Sequence, residues 1–129
     1  MDEMRKNLSN KQRIVVKVGS STITHEATGN INFAKLEKLV RLLTDLHNQG
    51  KEVVLVTSGA VAVGRKSVGM LERPKTLSEK QACAAIGQAS LMTVYQKLFS
   101  EYHQPCAQIL LTKLTILNEI TRQNACNTF

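Results

Sequence analysis

With 129 residues, 43% hydrophobic and 21% charged, the chain has the length and composition of one soluble globular domain or part of one. Its net charge of +7 comes from 17 Lys and Arg against 10 Asp and Glu and is spread thinly along the sequence. With 4% aromatic residues, no zinc-finger spacing and no dense basic tract, that charge argues against a nucleic-acid partner. No apolar run reaches the length of a membrane span, and the first residues lack a basic-then-apolar leader, so no membrane partner is expected either. Cys83, Cys106 and Cys126 are odd in number and far apart, and read as small buried thiols of a reducing, cytoplasmic protein.

Residues 1–12 are polar and mixed in charge and read as an N-terminal arm, with the folded domain over 13–129. The first ordered element is Ile14-Val15-Val16-Lys17-Val18, a β-branched run that breaks into Gly19-Ser20-Ser21. A lysine on an otherwise apolar strand must find an anion or reach water. Gly19 lets a ligand approach the backbone, and Ser20 and Ser21 add donors, a combination suited to phosphate. The same residues also read as an edge-strand lysine followed by an ordinary loop, and the stretch alone does not separate the two.

After a polar loop, Asn32 is set to cap a helix from Phe33 to about Gln49. Leu36, Leu39, Val40, Leu43 and Leu46 lie on one face of it, and Gly50 stops it. Val53-Val54-Leu55-Val56 is too short for a helix and reads as a strand covered on both faces. Strand, helix and strand of these lengths make a βαβ unit with parallel strands.

The second strand ends in Thr57-Ser58-Gly59-Ala60 and passes at once into a helix. Unsatisfied N–H groups and the positive dipole end make that junction a natural anion site. Thr57 or Ser58 could instead simply cap the helix. Thr76-Leu77-Ser78-Glu79 is a capping-box pattern opening a long helix towards Tyr102. The small-sided run from Gln81 to Ala89 either packs closely on a neighbour or admits a ligand, and close packing is the simpler reading. Ala107–Leu111 reads as a third strand ending at Thr112, and 119–129 as a last helix that stops without a cap or polar tail, as a cut chain would.

Three segments go beyond a generic phosphate-binding α/β fold. They are Val16-Lys17-Val18-Gly19-Ser20-Ser21, Val56-Thr57-Ser58-Gly59-Ala60-Val61-Ala62-Val63-Gly64 and Lys80-Gln81-Ala82-Cys83-Ala84-Ala85-Ile86-Gly87-Gln88. Together they resemble the amino acid kinase family, and within it most the branch that phosphorylates glutamate. Gln108–Thr112 and Asn124–Phe129 are similar to the same branch, so the resemblance covers nearly all of the chain after Arg13. The first segment is shared across the family, and the second and third narrow it.

The resemblance implies a three-layer αβα sandwich with a mainly parallel sheet, of which this chain is a truncated, N-terminal, substrate-side part. It implies a transferase that uses ATP and Mg2+ to phosphorylate the γ-carboxylate of L-glutamate, the first step of proline biosynthesis, and that forms a homo-oligomer when complete. Lys17 matches the catalytic lysine that contacts the transferring phosphate, with Gly19 and Ser20 as further phosphate contacts. Ser58, Gly59 and Ala60 match the loop that holds glutamate. No metal ligand is assigned within the chain, and the fragment alone is expected to be inactive. Two other readings stay open: a kinase of the same family acting on another small acid, and a non-catalytic oligomerising or anion-binding fragment.

Overall fold

A computed structural model describes residues 7–129; residues 1–6, half of the expected N-terminal arm, lie outside the described residues. Within the other half, the Lys51 ammonium donates to the backbone carbonyls of Ser9 and Lys11 at 3.0 and 2.9 Å.

Strands β1 (Arg13–Val18) and β2 (Glu52–Thr57) pair in parallel, in a register running from Arg13 opposite Glu52 to Val18 opposite Thr57. The short helix α1 (Ser20–Ile23) follows β1 directly, and α2 (Phe33–Asn48) forms the crossover to β2. A parallel pair needs such a crossover, and the α/β fold expected from the sequence follows from it. α2 is capped as expected: the Lys35 N–H donates to Asn32 Oδ1 at 3.0 Å. At its other end Gly50, at φ 86°, donates to the His47 carbonyl at 2.8 Å.

Strand alternation sends Val16, Val18 and Leu55 to one face of the sheet, against Leu36 and Val40 of α2 and Leu91 and Tyr95 of α4 (Leu77–Ser100). Val15 and Val56 point the other way and are 61% and 45% exposed. The expectation that β2 is covered on both faces is therefore corrected. α2 and α4 pack on the same side, and Val56 on the other side is left 45% exposed.

Helix α3 (Ala60–Ser67) starts immediately after Gly59. α4 begins with the expected capping box: Glu79 Oε2 accepts from the Thr76 and Lys75 N–H groups at 2.9 and 2.8 Å, while Thr76 Oγ1 accepts from Glu79 N–H. Those backbone donors, Thr76 first and Lys75 second, hold the Glu79 carboxyl below its ordinary value of 4.5. Cys83, Gly87, Leu91 and Tyr95 recur every four residues and form the buried stripe of α4.

Ala107–Leu111 is not a third strand. It lies beside β2 across an open cleft of about 630 Å³ and makes no backbone hydrogen bond to it. An apolar run supplies the side chains of a strand, but only a partner edge within reach supplies its ladder. Thr112, read as the end of that strand, is the N-cap of α5 (Lys113–Leu117), accepting from Thr115 N–H at 3.2 Å. α6 (Glu119–Thr128) forms where the last helix was expected. The cysteines are free, but only Cys83 is buried; Cys106 is half-buried, its thiol pushed up by that burial, and Cys126 is exposed. Among the described residues no helix is long and apolar enough to cross a membrane.

Candidate functional site

Because β1 and β2 are parallel neighbours, Gly19 and Ser58 leave the sheet side by side at the same end. That end of a parallel sheet is where α/β proteins open a crevice for ligands. The two loops are joined there by the Ser58 backbone N–H and Oγ, which both donate to the Val18 carbonyl, at 3.2 and 3.3 Å. Neither Ser58 nor Thr57 caps α3; the N-cap is Gly59, which has no side chain to offer. The capping alternative for these hydroxyls is thus excluded, and among the described residues no side chain accepts from the first N–H groups of α3.

Gly59 sits at φ 116°, in the left-handed region that glycine adopts at little cost. A Cβ on it would come within 2.9 Å of Ile23 Cδ1 and 3.6 Å of Ser20 Cα. Gly59 is therefore packed against α1, and the loop after β2 touches the loop after β1 through backbone. Gly19 is different: its φ of −83° is open to any residue. A Cβ there would meet only Ser21 Oγ, at 4.0 Å, so its bareness leaves open space rather than relieving a clash.

The structure brings Gly19, Ser20, Ser58, Gly59 and Ala60 into one patch. Lys17 lies one residue before the end of β1 on the uncovered face, opposite Val56 in the register and exposed. Among the described residues it makes no hydrogen bond or ion pair. Its side chain is free to move, which fits the anion-seeking and the plain edge-strand readings alike.

Two features of the site escaped the sequence reading. Thr57 Oγ1 and Tyr95 Oη are hydrogen-bonded at 2.9 Å, tying the end of β2 to α4. Tyr95 is 2% exposed, and burial raises its phenol pKa against the opposing effect of the Thr57 bond. On the other side of the loop, α3 and α4 touch backbone to backbone. A Cβ on Gly87 would lie 1.7 Å from the Ala60 carbonyl oxygen, and one on Gly64 would lie 1.8 Å from the Cys83 carbonyl oxygen. The small-sided run of α4 signalled close packing, but not that its contact is the first residue of the loop's own helix.

Among the described residues no cluster of three or more His, Cys, Asp or Glu could hold a metal ion.

A two-stranded parallel βαβ unit with paired glycine- and serine-bearing loops at one end is the architecture of an α/β protein. Residues 12–128 match the amino acid kinase family, and the chain belongs to it. It is 51% identical over 126 residues to the glutamate 5-kinase of Clostridium perfringens, covering 98% of this chain and 46% of that protein. With the glutamate 5-kinase of Clostridium acetobutylicum it shares 50% identity over 129 residues, 100% of this chain and 48% of the relative. With that of Carboxydothermus hydrogenoformans it shares 50% over 126 residues, 98% of this chain and 34% of the relative. The chain spans less than half the length of each of these relatives.

Proposed function

We propose that this chain supplies the phosphate-facing and acceptor-binding part of a glutamate 5-kinase, which phosphorylates the γ-carboxylate of L-glutamate from magnesium-ATP to give glutamyl 5-phosphate. The observation that carries the reading is the junction of the two loops, Ser58 on the Val18 carbonyl and Gly59 against Ser20. It sets the residues matched to phosphate beside the residues matched to glutamate.

In this reading a γ-carboxylate oxygen attacks the terminal phosphorus of ATP and the bond to the ADP oxygen breaks. Such a transfer needs position and charge stabilisation more than covalent help. Lys17 supplies a mobile point charge to the transferring phosphate, and Gly19 and Ser20 supply backbone and hydroxyl contacts to it. Ser58, Gly59 and Ala60 hold the acceptor at the start of α3, where N–H groups without a side-chain cap and the dipole favour a carboxylate. A magnesium ion carried by the nucleotide would offset charge on its phosphates. The complete enzyme is read as a cytoplasmic homo-oligomer.

The test is a chimera in which residues 12–128 replace the matching region of the Clostridium perfringens relative, assayed for ADP release with glutamate and magnesium-ATP. Glutamate-dependent turnover supports the proposal. A chimera that folds and binds ATP but needs another acid, or none, overturns it. The 129-residue chain alone is expected to give no glutamate-dependent turnover, since its described residues offer Lys17 but no acidic cluster for the metal.

A further inference from the structure

Helix α4 touches the loop after β2 at two places, one just before the residues matched to the acceptor and one at the last of them. Before the loop, the Tyr95 phenol bonds the Thr57 hydroxyl at 2.9 Å. After it, the Gly87 backbone rests on Ala60, so closely that even a methyl at Gly87 would overlap the Ala60 carbonyl oxygen at 1.7 Å and approach the Gly64 nitrogen at 2.4 Å. Between these contacts lie only Ser58 and Gly59. Gly87 and Tyr95 are eight residues apart on one face of a continuous helix, about 12 Å along its axis. Both are buried, Tyr95 at 2% exposure.

We infer that α4 acts as a rigid gauge for the acceptor loop, with Gly87 and Tyr95 as positioning residues that fix where Ser58, Gly59 and Ala60 stand. Neither touches the reacting atoms. The inference rests on the reading that residues 58–60 hold the acceptor. Its physical content is that the loop cannot shift without breaking the hydroxyl pair at one end or opening the backbone contact at the other. A loop held to within a fraction of an ångström matters because misplacing a reactant by about 1 Å can cost about 10²-fold in rate. The phosphate loop follows β1 and meets the acceptor loop through Gly59 and the Val18 carbonyl, while Val18 and Ile23 on either side of it share the core cluster with Leu91 and Tyr95.

The test compares Tyr95→Phe, Thr57→Val, their double variant and Gly87→Ala in the active chimera, with Leu98→Ala as a control. Leu98 is half-buried on the same helix, one turn past Tyr95, and packs against the core cluster without bonding the loop. The expected result is a KM for glutamate raised several-fold in Tyr95→Phe and Thr57→Val, with the KM for ATP unchanged. The double variant should be no worse than either single one, because one bond is lost in all three. Gly87→Ala should raise the glutamate KM further, while Leu98→Ala should lower the melting temperature with neither KM changed. Equal shifts in both KM values, or additive effects of Tyr95→Phe and Thr57→Val, would overturn the inference.

A second measurement needs no activity and uses the 129-residue chain. The amide resonances of Ser58 and Gly59 should move in Tyr95→Phe and stay in place in Leu98→Ala. Unmoved amides would refute the gauge even if the kinase reading stands, and moved amides would uphold it even if the chimera's acceptor is not glutamate.

Discussion

Lys17 is the one cation carried by β1 after Arg13, and the two have opposite surroundings. Arg13 is ion-paired to Glu52 at 2.6 Å, whereas Lys17 has no protein partner among the described residues. A role on the transferring phosphate predicts that Lys17→Ala in the chimera lowers kcat by about 10²-fold or more. Lys17→Arg should not restore it, because a planar fork does not stand in for a compact ammonium. A full-rate Lys17→Ala enzyme would remove the residue from the mechanism. Ser58 gives a second test at this scale. Its hydroxyl bonds the Val18 carbonyl instead of capping α3, so Ser58→Ala removes one hydrogen bond worth about 1 kcal/mol and, in the proposed role, one acceptor contact. The expected outcome is a raised KM for glutamate with the KM for ATP nearly unchanged. A melting-temperature loss with both KM values intact would make the serine purely structural.

The elements carry their own predictions. At the start of α4, the Glu79 carboxylate is favoured by the Thr76 and Lys75 N–H groups, so its pKa is lower folded than unfolded. A lowered carboxylate pKa adds stability above the unfolded value and loses it as pH falls through the folded one. Glu79→Gln should therefore melt below the parent at pH 7, and the gap should close as the pH drops below about 4 in paired thermal scans. A gap independent of pH would mean that charge has no part in the cap. Gly59→Ala tests the start of α3. At φ 116° and with Ile23 Cδ1 2.9 Å from the added methyl, it should cost about 1–3 kcal/mol in denaturant unfolding and displace α1.

The elements also show what the sequence could reveal. Asn32, Gly50, Thr76 and Glu79 announced their helix ends because capping is local chemistry, complete within four residues. The parallel pairing of β1 and β2 was legible because a helix-length crossover permits little else. The third strand was misread because Ala107–Leu111 has the composition of a strand, and pairing depends on a neighbour that composition does not describe. Gly87 against Ala60, and Tyr95 with Thr57, were hidden for the same reason: each joins residues far apart in sequence, and only the packing of α4 on the loop reveals them.

For the molecule as a whole, the uneven dressing of the sheet matters most. Val15 and Val56 are exposed while Val16, Val18 and Leu55 are packed. Val15→Thr and Val56→Thr keep β-branched side chains, so they should raise the solubility of the 129-residue chain without lowering its melting temperature. A fall in melting temperature comparable to that of a core substitution would show that the face is covered in solution.

The junction between the two loops also bears on the order of events as the chain folds. Ser58 and Val18 are 40 residues apart in sequence, and Thr57 and Tyr95 are 38 apart. Closing such loops costs entropy before any contact repays it, so these bonds form only once the strand pair and α4 have come together. The junction of the two loops is consequently a late product of folding. A ligand that bridged Ser20 and Gly59 would recognise only chains that had completed it, and would stabilise them by mass action.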